Sequence, residues 1–505
     1  MQVRLHPLEP FLLRCTVRIP IRPQDVVKKT DTSKKSLEKI YIIDKSPLKN
    51  LCFKSMMEAQ TTGGGCMLRR KIQQSLVEWK NNPNRKPLII KGCRQCGKTF
   101  SVLEFARQYY DHVVYINFFQ DSSYSSIFSG SLEVDHLVMM MSALLGSEAV
   151  FEAGKTIIVL DEIQECPEAR TALKFCHLDG RFDVIGTGSL LGVRGYGKEP
   201  KSIPVGYETV LDMVPLDFEE FLWANGITEQ MTELLRTCLN SETPVPEALH
   251  NRFRQLLLQY VVVGGMPAVV QQFVDTRHMG TVLQMQRDII RSYEDDMIKY
   301  AEKRDKGRIA ECFRSIPKQL SKENKKFQYS VVKKGATAAK YAGSLQWIED
   351  AGMICRCYNL TLPELPLDGN AIDSVFKVYM ADTGLLISML EDGTQFDVLQ
   401  GKLYGYKGAI FENLAADLFT KMGRKLYYYH KDSGLEVDFV IRWRGACTLV
   451  EVKATTRNTK SAKTILNHPE KYHVEQCIKL GDYNVGRNGK ILTLPWYMGF
   501  LLCET

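Results

Sequence analysis

The sequence lacks any run of about 18 apolar residues, the length a helix needs to cross a bilayer. The nearest, residues 260–270, is short and broken by Gly264-Gly265 and Pro267. The N-terminus shows no charged, apolar and small-residue layout of the kind that directs export. These absences lead us to expect a cytoplasmic chain with no membrane partner. Excess charge is also scarce. The net charge is +8, but residues 1–66 hold 12 Lys and Arg against 6 Asp and Glu, which leaves only +2 for residues 67–505. A basic footprint over the whole molecule, the simplest argument for nucleic acid, is therefore missing. Metal-binding cysteine pairs are missing too. Fourteen cysteines are scattered along the chain, and the only Cys-x-x-C, at Cys93 and Cys96, lies in a loop with another use. Cys355 and Cys357 share a strand face but have no second pair or His at ligand spacing. Zinc is disfavoured, and free, mostly buried thiols in a reducing compartment are the better reading.

What is present is ordinary globular composition, 45% apolar and 25% charged over 505 residues, a length with a prior of about three domains. One stretch carries most of the information. Leu88-Ile89-Ile90-Lys91 is an apolar run that stops in Gly92-Cys93-Arg94-Gln95-Cys96-Gly97-Lys98-Thr99 and leads into a helix with Val102, Phe105, Ala106 and Tyr109 on one face. Gly-x-x-x-x-Gly-Lys-Thr is a phosphate cradle: the glycines let the backbone curl so that consecutive N–H groups face a β-phosphate. Lys98 supplies a point charge to the β/γ oxygens and Thr99 a hydroxyl to Mg²⁺. The helix N-terminus adds to the attraction for the anion. Residues 92–99 are thus the candidate ATP-binding set.

Further on, Thr156-Ile157-Ile158-Val159-Leu160-Asp161-Glu162 has the pattern of a buried parallel strand delivering two acids at its C-terminal end. Phosphoryl transfer needs a metal clamp and an oriented nucleophile, which assigns Asp161 to the Mg²⁺ shell and Glu162 to polarising the attacking water. A third strand, Phe182-Asp183-Val184-Ile185-Gly186-Thr187, runs into Gly188-Ser189-Leu190, where Thr187 or Ser189 is placed to sense a γ-phosphate; a hydroxyl there equally forms a turn. With a strand at 112–118 and helical stretches at 134–145 and 169–176, the alternating order implies an α/β fold with a doubly covered parallel sheet.

Residues 1–66 have no clear period and contain Pro7, Pro10, Pro20, Pro23 and Pro47. They read as a basic appendage. Met67 opens a helical pattern with Leu68, Ile72, Leu76 and Trp79, and Gly63-Gly64-Gly65 is what a translated purine-rich ribosome-binding site would encode. The expectation is that the native product starts at Met67; a genuine basic arm is the competing reading.

After the candidate nucleotide domain, Ile203-Pro204-Val205-Gly206-Tyr207 is followed by Met213-Val214-Pro215-Leu216-Asp217-Phe218-Glu219-Glu220-Phe221-Leu222, whose second half starts an amphipathic helix. Helical stretches follow at 245–266 and 282–299, and Glu294-Asp295-Asp296 reads as a solvated face. Next come a helix at 309–321, the basic turn Lys322-Glu323-Asn324-Lys325-Lys326, a helix at 337–351 stopped by Gly352, and strands at 353–359 and 376–381. Helix, helix and hairpin spell a winged helix-turn-helix. Lys333, Lys334 and Lys340 are available to DNA phosphates, or are a normal soluble surface.

The C-terminal region holds a second constellation. Glu412 lies on a helix at 408–421, Asp438 in the apolar run 437–441, and Leu449-Val450-Glu451-Val452-Lys453 is a strand whose alternation puts Glu451 and Lys453 on one face. Carboxylates from neighbouring strands hold a divalent metal that acidifies water, with a lysine to stabilise developing charge. Asp438 and Glu451 are the candidate metal ligands, and both join Lys453 as candidate catalytic residues. A charged sheet face without metal, or a nuclease-like fold kept for binding, reads equally well.

With these residues in hand, the chain from Met67 to about Asp482 resembles prokaryotic AAA-type P-loop ATPases that carry a C-terminal domain of unknown function related to the restriction-endonuclease-like superfamily. The resemblance rests on residues 92–99, Leu160-Asp161-Glu162-Ile163-Gln164, Thr187-Gly188-Ser189, Pro215-Leu216-Asp217-Phe218-Glu219-Glu220-Phe221, Gly264-Gly265-Met266-Pro267, Ala381-Asp382-Thr383-Gly384-Leu385-Leu386, and Asp438 with Glu451-x-Lys453. It implies ATP and Mg²⁺ at the first site and a Mg²⁺ nuclease site at the second, with no implied substrate. Some relatives carry Arg where Tyr207 stands, so no arginine finger is assigned in cis; a second copy or a protein partner would supply it. Cys93 and Cys96 stand where Pro and Val are frequent. The expected organisation is an extension at 1–66, a P-loop ATPase domain at 67–225, a helical and winged-helix region at 226–395, and an α/β restriction-endonuclease-like domain at 396–505. The leading expectation is an ATPase driving a nuclease-like module on DNA. The alternatives are a nucleotide-switched adaptor with an inactive nuclease-like domain and a ring-forming, chaperone-like ATPase.

Overall fold

In the computed structural model the described residues are 3–8, 12–17, 67–189, 206–300, 305–322, 326–402, 406–453 and 460–503. The expectations for the rest of 1–66, for Leu190, for 203–205 and for the centre of the basic turn, 323–325, lie outside them. In the first 64 residues, which group as a separate unit, β1 (Val3–Leu8) pairs antiparallel with β2 (Leu12–Val17). The second unit runs from Gly65 to Thr505.

That unit begins with α1 (Ile72–Asn81), one turn later than the apolar spacing suggests. Met67 to Arg70 stay outside the helix, where the buried Arg70 spends its guanidinium on the Cys96 and Val214 carbonyls and on Glu220. β3 (Leu88–Lys91), α2 (Lys98–Tyr109), β4 (His112–Asn117), α3 (Val134–Leu145), β5 (Thr156–Asp161), α4 (Pro167–Asp179), β6 (Asp183–Gly188) and β7 (Thr209–Asp212) follow. The strands form one parallel sheet in the order β4-β5-β6-β3-β7. All six residues of β5 are buried, as its uninterrupted apolar run requires of a strand covered on both faces. Separate apolar clusters lie on the two faces, one around Ile116, Ile158 and Leu173, the other around Val102, Phe105 and Val159.

A helical layer comes next: α5 (Phe218–Ala224), α6 (Glu229–Ser241), α7 (Glu247–Val263), α8 (Pro267–Thr276), α9 (Met279–Tyr300), α10 (Lys306–Leu320), α11 (Tyr329–Val332) and α12 (Ala338–Asp350). Asp217 and Glu220 cap α5 reciprocally, so the acids of that motif point inward to organise backbone. β8 (Ile354–Leu360) and β9 (Ala371–Met380) make the expected hairpin. The hairpin is not a free wing. After α13 (Thr383–Ser388), α14 (Thr394–Gln400) and α15 (Lys407–Lys421), strand β10 (Leu426–His430) adds parallel to β8, and β11 (Glu436–Val437) closes a four-stranded sheet β11-β10-β8-β9. The 395/396 boundary expected from sequence therefore runs between strands of a single sheet. The chain then switches sheets at Asp438. β12 (Phe439–Trp443), β13 (Ala446–Lys453), α16 (Lys460–Leu466), α17 (Pro469–Tyr472), β14 (Gln476–Gly481), β15 (Gly486–Asn488) and β16 (Ile491–Pro495) build a five-stranded sheet β12-β13-β14-β16-β15.

Glycines lock the helical layer to the C-terminal part. A Cβ on Gly384 would sit 2.5 Å from the Gly264 nitrogen and the Val263 carbonyl carbon, so α13 and the end of α7 touch backbone to backbone. Gly384→Ala is expected to cost about 1–3 kcal/mol or more, as overpacking against backbone does. Chemical denaturation reads this as a lower midpoint; an unchanged midpoint would mean that the contact yields freely.

Candidate functional site

The phosphate loop joins the C-terminal end of β3 to α2. Gln95 at φ 64° and Gly97 at φ 95° supply the left-handed turns that curl it. Gly92 is glycine for a different reason from the one its motif suggests: a Cβ there would lie 2.0 Å from the Met213 carbonyl oxygen, against which β3 packs. Lys98 is buried and its ammonium donates to the Gly92 and Cys93 carbonyls at 3.0 and 2.9 Å.

The adjacent strand brings the acids. The Thr99 hydroxyl donates to both Asp161 oxygens, at 2.9 and 3.1 Å. Asp161 also accepts from the Tyr115 hydroxyl at 2.8 Å, from the Asn117 amide at 2.9 Å and from the Thr187 hydroxyl. Parallel pairing explains the convergence, because Asn117 on β4 stands opposite Asp161 on β5, and Leu160 opposite Gly186 puts Thr187 beside them. Tyr115 and Asn117 were not singled out from sequence. The strand 112–118 was legible and its alternation puts both on one face, but which strand it borders was not. Burial, then the Asp161 charge, raises the Tyr115 hydroxyl pKa. Glu162 is held at φ 54°, a conformation costing a non-glycine residue roughly 1–2 kcal/mol. Its carboxylate accepts from the Gln164 amide and, at 3.4 Å, from the Ser189 hydroxyl. The two candidate sensor hydroxyls are thus divided, Thr187 to Asp161 and Ser189 to Glu162.

The expectation that Glu294, Asp295 and Asp296 form a solvated face is corrected. Asp295 is exposed, Glu294 pairs with Arg314 at 2.6 Å, and Asp296 is buried in an ion pair with Arg94 of the phosphate loop. α9 meets the loop twice more, through the Tyr293 hydroxyl on the Arg94 carbonyl at 3.1 Å and Ser292 near Gln95 at 3.4 Å. The helical period was legible, but the partner that turned one acid inward is 202 positions away. A cavity of about 500 Å³ opens on the other flank of the loop, between Gly92, Cys93 and Met213 on one side and Gly352, Arg356, Lys421 and Arg424 on the other.

The C-terminal residues also converge. Lys453 pairs with Glu451 at 2.5 Å and with Asp438 at 3.4 Å, and Asp438 accepts from the Val452 amide at 2.8 Å. Burial, then the nearby Asp438, pushes the Glu451 carboxyl up to about 7. Glu412 accepts from Lys377 at 3.1 Å and from Tyr379, and Lys377 also pairs with Glu436 at 3.0 Å. Lys377, Tyr379 and Glu436 were missed in the sequence because nothing local marks a lysine in an apolar strand as buried. Burial alone would lower the Lys377 pKa, yet Glu412, Glu436 and Asp438 hold it above its ordinary value. Among the described residues no three His, Cys, Asp or Glu side chains stand together as a metal cluster.

The family described as an AAA domain matches residues 84–222, which contain the whole parallel sheet and both ends of the loop site. Two families described only as domains of unknown function match residues 254–395 (DUF8612) and 407–497 (DUF4143). No curated protein matches the chain. Among solved structures, the Walker-type ATPase PABY2304 of Pyrococcus abyssi aligns at 15% identity over 64% of this chain and 96% of that chain, with a TM-score of 0.39. Sheet, loop and AAA-domain match together support a P-loop ATPase domain, with nucleotide binding as its implied property. Among the described residues no helix is long and apolar enough to cross a membrane.

Proposed function

We propose that this chain hydrolyses ATP with Mg²⁺ and uses its nucleotide state to reposition a winged-helix and restriction-endonuclease-like module on DNA. The observation that carries the reading is the Thr99–Asp161 pair beside Lys98 on a glycine-turned loop. Two hard oxygen donors side by side suit Mg²⁺, so Thr99 and Asp161 would hold it. When bound, Mg²⁺ would supply positive charge to offset the negative charge that develops on the phosphates. Amides of residues 92–99 hold the phosphates, Lys98 turns from its loop carbonyls to the β/γ oxygens, and Glu162 orients the attacking water. A second copy or protein partner supplies the arginine finger. The proposed division is 67–225 for the ATPase, 226–395 for the helical and winged-helix part, and 396–505 for the nuclease-like part.

Contiguity supports coupling between the sites. α9 touches the loop at Arg94 and Gln95. Its Gln286 donates to the Val262 and Val263 carbonyls, next to Gly265, whose amide donates to Asp382. Asp382 pairs with Lys421 on α15, the helix that carries Glu412. Contiguity by itself is not coupling. A nonhydrolysable ATP analogue should raise hydrogen exchange in the α9 segment 289–299 by loosening its hold on the loop; unchanged exchange at saturation would reject this route.

For the second site, plasmid and linear DNA are incubated with Mg²⁺ or Mn²⁺, with and without ATP, beside an Asp438→Ala/Glu451→Ala variant. Cutting that the variant loses supports a nuclease in which Asp438 and Glu451 hold the metal and Lys453 stabilises charge. A specific observation favours the adaptor reading: Lys453 already bridges both acids and Lys377 occupies Glu412. DNA binding without cutting, equal in both proteins, is the adaptor's result.

A further inference from the structure

Two thiols stand inside the phosphate loop, and nucleotide binding uses neither, because the loop works through backbone amides. Cys93 and Cys96 are both buried and their thiols interact with each other. The Cys96 sulfur lies 3.5 Å from the Met213 carbonyl oxygen and 4.0 Å from the Lys98 ammonium. The guanidinium of Arg70, bonded to the Cys96 carbonyl at 3.0 Å, is a second cation beside it. The cavity of about 500 Å³ is lined by Gly92, Cys93 and Met213, so a small solute entering it arrives at Cys93, the thiol to which the buried Cys96 is hydrogen-bonded.

The two sulfurs are chemically unlike. The hydrogen bond from Cys93, with Lys98 and Arg70, holds the Cys96 thiol down at about 6 despite its burial, while the same bond and burial hold Cys93 well up. A thiol beside two cations, hydrogen-bonded to a second thiol three residues away ahead of a helix, has the arrangement of an attacking and resolving pair.

We propose that Cys93 and Cys96 form a modification site for a peroxide oxidant, and that the disulfide they make shuts the phosphate loop to nucleotide. The second half rests on the nucleotide reading of this loop. In the first step the Cys96 thiolate attacks a peroxide oxygen. The O–O bond breaks, hydroxide leaves and takes a proton to become water, and the sulfur becomes a sulfenic acid. The Cys93 sulfur then attacks the sulfenic sulfur, the S–O bond breaks, and the oxygen leaves as water with the Cys93 proton. Two electrons pass from the thiols to the peroxide. The bridge ties residue 93 to residue 96 across Arg94 and Gln95, the backbone that must turn its amides to the phosphates, and removes the thiolate beside Lys98.

The test uses the full chain, reduced, treated with hydrogen peroxide, and treated then re-reduced with dithiothreitol. Free thiols are alkylated and the protein is digested without reductant; trypsin cuts after Arg94, so the bridge appears as peptides 92–94 and 95–98 joined. Calorimetry with an ATP analogue should show affinity at least about tenfold lower after oxidation and restored by dithiothreitol. Cys96→Ser, whatever its own affinity, should show no difference between treated and untreated protein. Failure to find the joined peptides, a bridge that leaves affinity unchanged, or an equal loss in Cys96→Ser overturns the proposal. Reduced protein that binds no analogue sinks the nucleotide reading and the shut-off with it, while peptide mapping still decides whether the pair is oxidised.

Discussion

Replacing Lys98 with alanine is expected to lower ATP affinity by about two orders of magnitude or more, since it removes charge-assisted hydrogen bonds worth about 1.5–3 kcal/mol each from the phosphate tail. The Lys98 ammonium is buried at the loop and held by its carbonyls. Calorimetry measures the loss, and thermal denaturation of the same variant separates it from unfolding. Glu162→Gln should part binding from turnover. The amide preserves size and the contacts to Gln164 and Ser189 but does not polarise water, so ATP should bind while hydrolysis falls about 10²- to 10⁴-fold. Turnover equal to that of the parent protein would refute the role of Glu162.

The second large effect is on stability. Lys421 is buried between Asp382 at 3.1 Å and Asp417 at 2.7 Å, and it donates to the Tyr260 hydroxyl at 2.9 Å. Asp382 in turn receives the Gly265 amide, and Asp417 the Thr383 amide and hydroxyl. Lys421→Met leaves two buried carboxylates without their cation, a change that costs about 3–5 kcal/mol. Its pH dependence identifies the cause. Burial pushes the Asp417 carboxyl up to about 6 against the pull of Lys421, so without the lysine its folded value rises further. A carboxyl whose folded pKa lies above its unfolded value binds the proton more tightly when folded, and stability is lost as pH rises through that window. Asp417 stays protonated in both folded proteins below about 6, so denaturation midpoints of Lys421→Met should fall further behind those of the parent protein as pH rises above about 6, and Asp417→Asn should recover part of the loss. A pH-independent deficit would point to packing instead.

The loop site was legible because its chemistry is local. Gly97, Lys98 and Thr99 are neighbours in sequence, and the unbroken run of β5 announced both its burial and the two acids at its end. The second site was half legible: alternation along β13 puts Glu451 and Lys453 together, but Asp438 reaches them only because the chain changes sheets at that residue. Lys377, in the apolar second half of β9, and Asp296, in an acidic run, gave no local sign of burial. Both are decided by partners far along the chain, Glu412 and Arg94. The hairpin β8–β9 was likewise visible, while its joining to β10 was not, since strand adjacency is a long-range choice made by the packed core.

The sequence by itself determined the elements whose cause is short-range: the turn that cradles phosphate, the buried strand behind it, and the alternation that pairs an acid with a lysine. Tertiary structure alone decided which charges are buried, why Gly92 must be glycine, which helix grips the phosphate loop, and that one sheet unites regions that sequence had divided. The physical reason is that backbone propensity and side-chain period act over a few residues. Desolvation and ion pairing act between whatever surfaces the folded chain brings together.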